Sequence, residues 1–107
     1  MDRNFEILNI EHVAIAVNDI SSSKLIFEEV LGMNSSEVEN VANEKVNVIK
    51  ISPKNTVSKI ELIEPSDTLS PISKFLEKKG QGMHHIAFYV DDTVSYTHLT
   101  LPTICSV

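Results

Sequence analysis

Between residues 8 and 17 the chain alternates. Val13, Ile15 and Val17 fall on one face, while His12, Ala14 and Ala16 fall on the other, the period of a half-buried strand. The first set is bulky and β-branched and suits packing on a helix; the second joins one polar group to small neighbours and leaves room above the sheet. Asn18-Asp19 then reads as a turn, with Ser21 or Ser22 capping a helix that runs to about Leu31. Ile26, Phe27, Val30 and Leu31 form its expected apolar stripe. Gly32 stands where a left-handed residue ends the helix.

Further on, the polar stretch 34–44 carries Val38 and Val41 and predicts a short second strand. Over 46–51, Val46, Val48 and Lys50 alternate with Asn47, Ile49 and Ile51, predicting a stronger one. Pro53-Lys54-Asn55-Thr56 has turn chemistry, and 59–63 returns as a strand to give a hairpin. After Pro65, Ser70 caps a second helix with Pro71 in its first turn, where a missing N–H costs nothing. Ile72, Phe75 and Leu76 make its apolar stripe, and Lys78 and Lys79 complement its C-terminal dipole. Gly80 and Gly82 bracket the exit.

Beyond that exit the chain repeats itself. His85-Ile86-Ala87-Phe88-Tyr89-Val90 matches His12-Val13-Ala14-Ile15-Ala16-Val17 at an offset of 73 residues, and each copy runs into an Asn/Asp pair. A strand recurring with the same polar residue on the same face points to a duplicated module that builds one site from two halves. The predicted fold class is α+β: one complete βαβββ module (1–66), a connector helix (67–82) and the first strand (83–92) of a second, truncated βαβββ module.

The last residues, 93–107, are expected to be a non-native tail. The segment 94–103 fits no element cleanly and resembles the translation of one reading frame of a widely used transposon-based sequencing adaptor; the alternative, a short native tail, is disfavoured by the length of the match. On this reading the natural chain is broken near Asp92, and neither His98 nor Cys105 is a candidate ligand or nucleophile.

Composition narrows the picture further. With 107 residues, 42% apolar and 22% charged, the chain has room for a single small core. A net charge of −6 without a basic stripe argues against a nucleic-acid partner. No apolar run reaches membrane-spanning length, so no membrane partner is expected. The N-terminus lacks a secretion signal, and a lone cysteine gives no disulfide framework, which makes the cytoplasm the expected compartment.

The chemistry lies in three residues. His12 and His85 occupy equivalent places in the repeated strands. Glu61 alternates with Ile60 and Leu62; if those two pack on a helix, its carboxylate lies on the same side of the sheet as His12. Two imidazoles and a carboxylate on one face suit one divalent metal ion such as Zn, Co, Ni or Mn. A lone strand histidine is more often structural than a ligand, and Glu61 beside Lys59 could be an exposed alternating face. Recurrence of His at one register tips the balance to metal. His84 is expected on the opposite face, aligned with Glu11, as a surface or edge residue.

Ile10-Glu11-His12-Val13-Ala14-Ile15-Ala16-Val17, Glu29-Val30-Leu31-Gly32-Met33, Ile60-Glu61-Leu62-Ile63-Glu64-Pro65 and Gly82-Met83-His84-His85-Ile86-Ala87-Phe88 resemble the vicinal oxygen chelate superfamily. This is the glyoxalase/bleomycin-resistance/dioxygenase group. Ile60 to Pro65 and the Ser70 to Leu76 segment are most similar to the methylmalonyl-CoA epimerase family within it. The resemblance implies two βαβββ modules around one divalent metal, with His12, Glu61 and His85 as ligands. It also implies a fourth ligand, a Glu on the last strand of the second module, beyond the break. An acidic residue that some epimerases carry on the third strand is matched by Asn47, so no catalytic base is assigned.

The implied reaction is a 1,1-proton transfer alpha to a CoA thioester through a metal-stabilised enolate, with a homodimer possible for the intact protein. The chain as given is then expected to be an inactive N-terminal fragment, with an open sheet edge and apolar face that invite aggregation. Two alternatives stay open: a glyoxalase I-type lactoylglutathione lyase using the same metal logic, and a non-catalytic small-molecule-binding protein of the superfamily. The three retained ligand types disfavour the second.

Overall fold

The strand β1 (Phe5–Ala16) begins earlier than its alternation suggests and forms the middle of a seven-stranded sheet. The structure, a computed structural model, describes residues 5–54, 58–92 and 103–106. The expected tail therefore lies outside the described residues apart from a short strand within it, as do Asn55 and Thr56 of the expected turn. The elements in order are β1, a helix α1 (Ile20–Leu25) continued by a π-helical turn (Ile26–Val30), β2 (Asn34–Ser35), β3 (Glu39–Val41), β4 (Val46–Ser52), β5 (Lys59–Pro65), α2 (Pro71–Lys79), β6 (Gly82–Asp92) and β7 (Thr103–Ser106).

The sheet order is β2-β4-β5-β1-β6-β7, with β3 also on β4. Asn34 and Ser35 pair with Ser52 and Ile51, while Glu39 to Val41 pair with Val48 to Val46. β2 and β3 are thus one interrupted edge strand, bridged by Ser36, whose amide donates to Lys50 O (2.8 Å) and whose Oγ accepts from Lys50 N (3.0 Å). With that strand counted once, β1 to β5 is a βαβββ module. α2 and β6 come next as the connector helix and the opening strand of a second, so the α+β fold class stands.

Each face of the sheet has its own core. On one, Val17, Ile20, Ile49, Ile51 and Leu62 are buried together, with Ile15, Phe27, Met33 and Ile60 against them under α1. On the other, Ala14, Ala16, Val46, Val48, Ile63 and Ile72 cluster with Val41, Phe75 and Leu76 under α2. Burial of a Leu or Ile side chain is worth about 1.5–3 kcal/mol, so fully buried Ile49, Ile51 and Leu62 anchor the first face.

Two expectations about α1 need correction. Its N-cap is Asp19, whose Oδ2 accepts from Ser22 N (3.2 Å), rather than Ser21 or Ser22; the helix starts earlier, so the cap moves with it. The predicted stripe also fails: Phe27 is half-buried, but Ile26, Val30 and Leu31 are 60%, 76% and 59% exposed. Ile20 fixes the phase. The sheet-facing row runs 20, 23, 24, 27 and 28, the i, i+3, i+4, i+7 spacing counted from a residue outside the predicted stripe. Gly32 does adopt the left-handed backbone, at φ 67°. Ser70 caps α2, accepting from Ile72 N at 3.1 Å.

β1 and β6 are antiparallel, and their ladder carries an internal pseudo-two-fold axis. Val13 pairs with Ile86, its own counterpart in the repeat; His12 pairs with Ala87 and Ala14 with His85, which are equivalent pairs. Two of the three irregularities in the ladder obey the same symmetry; the third, at Leu8, does not. The register skips Glu11 between Ile10 and His12 and skips His84 between His85 and Met83. Glu11 and His84 are equivalent residues, each extruded as a β-bulge immediately before a repeated histidine.

Candidate metal centre

Ala14 marks the middle of the site. It pairs with Glu61 on β5 and with His85 on β6, and residues directly opposite in a ladder share a face. His12, two residues earlier, lies on that same face. Ala14 and Ala87 are fully buried, and their methyl groups leave the space that larger side chains would fill. All three residues singled out by the sequence lie on that face, and His12 touches the other two through its two different ring nitrogens. His12 Nε2 is 3.1 Å from His85 Nε2, with the rings nearly perpendicular at 77° and their centroids 5.2 Å apart. Glu61 Oε2 is 3.4 Å from His12 Nδ1.

The bulges add two residues that simple alternation sends to the far face. Glu11 is buried, with Oε2 2.6 Å from His12 Nδ1 and Oε1 4.0 Å from Lys59 Nζ. His84 is exposed, but it places Nδ1 2.8 Å from His85 Nδ1 and its ring edge-on to Phe75 at 4.8 Å. The expectation that His84 points away is corrected: an extra residue in one strand resets the alternation at that residue. Nothing short of the bulge itself would have signalled either neighbour.

Electrostatics follow from burial. Desolvation pushes the Glu61 carboxyl above its ordinary value; His12 opposes this, Glu11 adds to it, and Lys50 and Lys59 oppose it more weakly. His85 is pushed below the ordinary imidazole value, first by burial and then by His12 and His84, against a smaller pull from Glu44. A depressed imidazole is unprotonated near neutrality and free to donate to a metal.

Two contiguous cavities open over these groups. One, of about 380 Å³, is lined by His12, Glu61, Lys50 and His85; the other, of about 360 Å³, by His84, Leu69, Pro71 and Ile72. Glu44, Val46, Ile63 and His85 border both. Glu44 sits in the turn between β3 and β4, where Lys45 takes a left-handed φ of 57°, unusual for a residue with a long side chain. Ser66 N donates to Lys45 O (2.9 Å) and Ser70 Oγ to Glu44 O (3.5 Å), fixing that turn against the start of α2.

Asn47 lies elsewhere. It pairs with Glu64 on the α1-covered face and donates to Glu64 Oε2 at 2.9 Å, while Glu64 Oε1 accepts from Ile20 N at 2.7 Å. It holds the entry of α1. Whatever acid–base role its position suggested, the side chain is on the wrong side of the sheet; besides Glu61, the carboxylates that border the cleft are Glu39 and Glu44, of which Glu44 borders both cavities.

The donor set fits a divalent metal. In a tetrahedral site, nitrogen ligands at about 2.0–2.1 Å from the ion stand roughly 3.3 Å from each other, close to the 3.1 Å between the two Nε2 atoms. Donor atoms of Glu11, His12 and Glu61 lie within 4.8 Å of one another, a group gathered on the Nδ1 side of His12 that does not include His85. Among the described residues no helix is long and apolar enough to cross a membrane.

Comparison with known proteins agrees with this architecture. Residues 11–97 match the family model for the glyoxalase/bleomycin resistance protein/dioxygenase superfamily. The uncharacterised protein YqjC of Bacillus subtilis is 46% identical over 79 residues, 74% of this chain and 55% of that protein. Human mitochondrial methylmalonyl-CoA epimerase is 39% identical over 84 residues, 78% of this chain and 47% of that one. The chain spans about half the length of these curated relatives. Among solved structures, methylmalonyl-CoA epimerase from Mycobacterium tuberculosis superposes with a TM-score of 0.76 at 28% identity, over 86% of this chain and 61% of that one. The Streptomyces coelicolor epimerase in complex with 2-nitronate-propionyl-CoA gives a TM-score of 0.71 at 28% identity, over 78% and 62%.

Proposed function

This chain belongs to the glyoxalase/bleomycin resistance protein/dioxygenase superfamily, and from that premise we propose that it supplies the ligands of one divalent metal ion to a methylmalonyl-CoA epimerase. The observation that carries the reading is the 3.1 Å approach of His12 Nε2 to His85 Nε2 from sister strands, with Glu61 alongside. Similarity to methylmalonyl-CoA epimerases supports a CoA thioester as the substrate class.

In this proposal His12, Glu61 and His85 hold the ion. When bound, the ion would supply Lewis acidity to a substrate oxygen, which lowers the cost of removing a proton from the adjacent carbon. Ala14 and Ala87 keep space open for the substrate above the sheet. Lys50, opposite Glu61 in the ladder, places a cation beside the cleft, where it favours an anionic substrate group. Glu44 borders both cavities and is the carboxylate placed to accept or return a proton. The fourth ligand implied by the resemblance, a Glu on the last strand of a second module, is not among the described residues.

Calorimetric titration of the chain with Zn²⁺ or Co²⁺ tests this. Wild type is expected to bind one ion, with His12→Ala or His85→Ala weakening binding by at least about 100-fold, the scale of losing a direct ligand rather than an outer partner. Binding that is indifferent to both substitutions would refute the assignment.

A further inference from the structure

We propose that Glu11 and His84, extruded by the two axis-related bulges, are positioning residues that engage the Nδ1 atoms of His12 and His85 and so hold both Nε2 atoms toward one cation. The purpose of this clamp rests on the metal reading above, whereas the clamp itself rests on contacts within the chain.

An ionised carboxylate only accepts, so the 2.6 Å contact to Glu11 Oε2 assigns the His12 ring proton to Nδ1. The lone pair of neutral His12 is then on Nε2, facing His85. A carboxylate as buried as Glu11, at 6% exposure, is costly without a partner, and its contact with Lys59 is long at 4.0 Å. His12 is therefore its principal partner.

On the sister strand, His85 Nδ1 is engaged by His84 at 2.8 Å. Two bare lone pairs cannot face each other at 3.1 Å, so a proton or a cation lies between the Nε2 atoms. Without an ion and with one proton on each ring, one arrangement satisfies every contact. His84 Nδ1–H donates to His85 Nδ1, His85 Nε2–H donates to His12 Nε2, and His12 Nδ1–H donates to Glu11. With an ion at the centre, His85 carries its proton on Nδ1 and donates back to His84, which carries its own on Nε2 toward solvent. Each ring keeps one proton throughout. Glu11 thus fixes His12 in one tautomer, while His84 accommodates either tautomer of His85.

The test uses the full chain with ¹⁵N-labelled histidine and long-range ¹H–¹⁵N spectra at neutral pH, with and without Zn²⁺. His12 is expected as the Nδ1–H tautomer in both states, with His85 switching from Nε2–H to Nδ1–H and His84 the reverse on adding Zn²⁺. Glu11→Ala is expected to mix the His12 tautomers and weaken Zn²⁺ binding about 10–100-fold, the usual range for an outer-shell partner. Glu11→Gln, which keeps volume and an acceptor oxygen, is expected to retain the tautomer and lose less affinity, and it guards against loss of fold in the alanine variant. An Nε2–H tautomer for His12 in wild type, or unchanged tautomer and affinity in Glu11→Ala, overturns the proposal. If Zn²⁺ fails to bind wild type while Glu11→Ala still disturbs the His12 tautomer, the clamp stands and the metal reading falls.

Discussion

The two faces of one sheet are built from alternate residues of the same strands, yet they are made for different ends. Under α1, Ile49, Ile51 and Leu62 are fully buried. On the opposite face the same strands present Ala14, Ala16 and Ala87 beside His12, Glu61 and His85, with cavities above them. One face gains stability through volume; the other withholds volume so that polar groups can meet.

Substitutions that cross this division are the way to break it. Leu62→Ala should have the largest effect on stability, about 2–5 kcal/mol as for other buried leucines, measured by urea unfolding; folded protein should keep its metal affinity, because the lost side chain faces α1. Ala14→Leu should cost less, about 1–3 kcal/mol from overpacking. It should nevertheless abolish Zn²⁺ binding by filling the space between Glu61 and His85. If the alanine variant lost the metal and the leucine variant kept it, the assignment of the faces would be wrong.

The smallest effect concerns pH. His85 has a folded pKa below its ordinary value of 6.5, so the unfolded chain takes up its proton more readily. Its contribution to stability is present above that value and is lost as pH falls through the folded pKa. Glu61, raised by burial, acts in the opposite sense and gains stability on protonation at lower pH. The urea midpoint of wild type should therefore fall between neutral pH and pH 5 by more than that of His85→Gln, which removes the imidazole alone. Equal slopes would mean that His85 is not desolvated.

Much of this was legible in the sequence because period-two alternation and cap chemistry are local. Val13, Ile15 and Val17 against His12, Ala14 and Ala16 marked the correct faces of β1, and Ser70-Pro71 marked the start of α2. Glu61 followed from Ile60 and Leu62. The features hidden from the sequence depend on partners. A bulge is defined by the neighbouring strand, so Glu11 and His84 are assigned to the wrong side by a rule that holds for every other residue between Glu11 and Ala16. The phase of α1 depends on which end of its apolar sequence meets the sheet. Asn47 likewise sits on the helix side because Val46 and Val48, not Ile49 and Ile51, turn toward the cleft.

Val13 and Ile86 meet their own equivalents across the axis, and the distance between the two imidazoles is consequently ruled by hydrogen-bond rungs rather than by connecting chain. Changing the length of the segment from 66 to 81 should leave the ring separation unchanged so long as Phe75 stays packed on His84. Sliding one strand past the other by a single rung would turn one imidazole out of the cleft altogether.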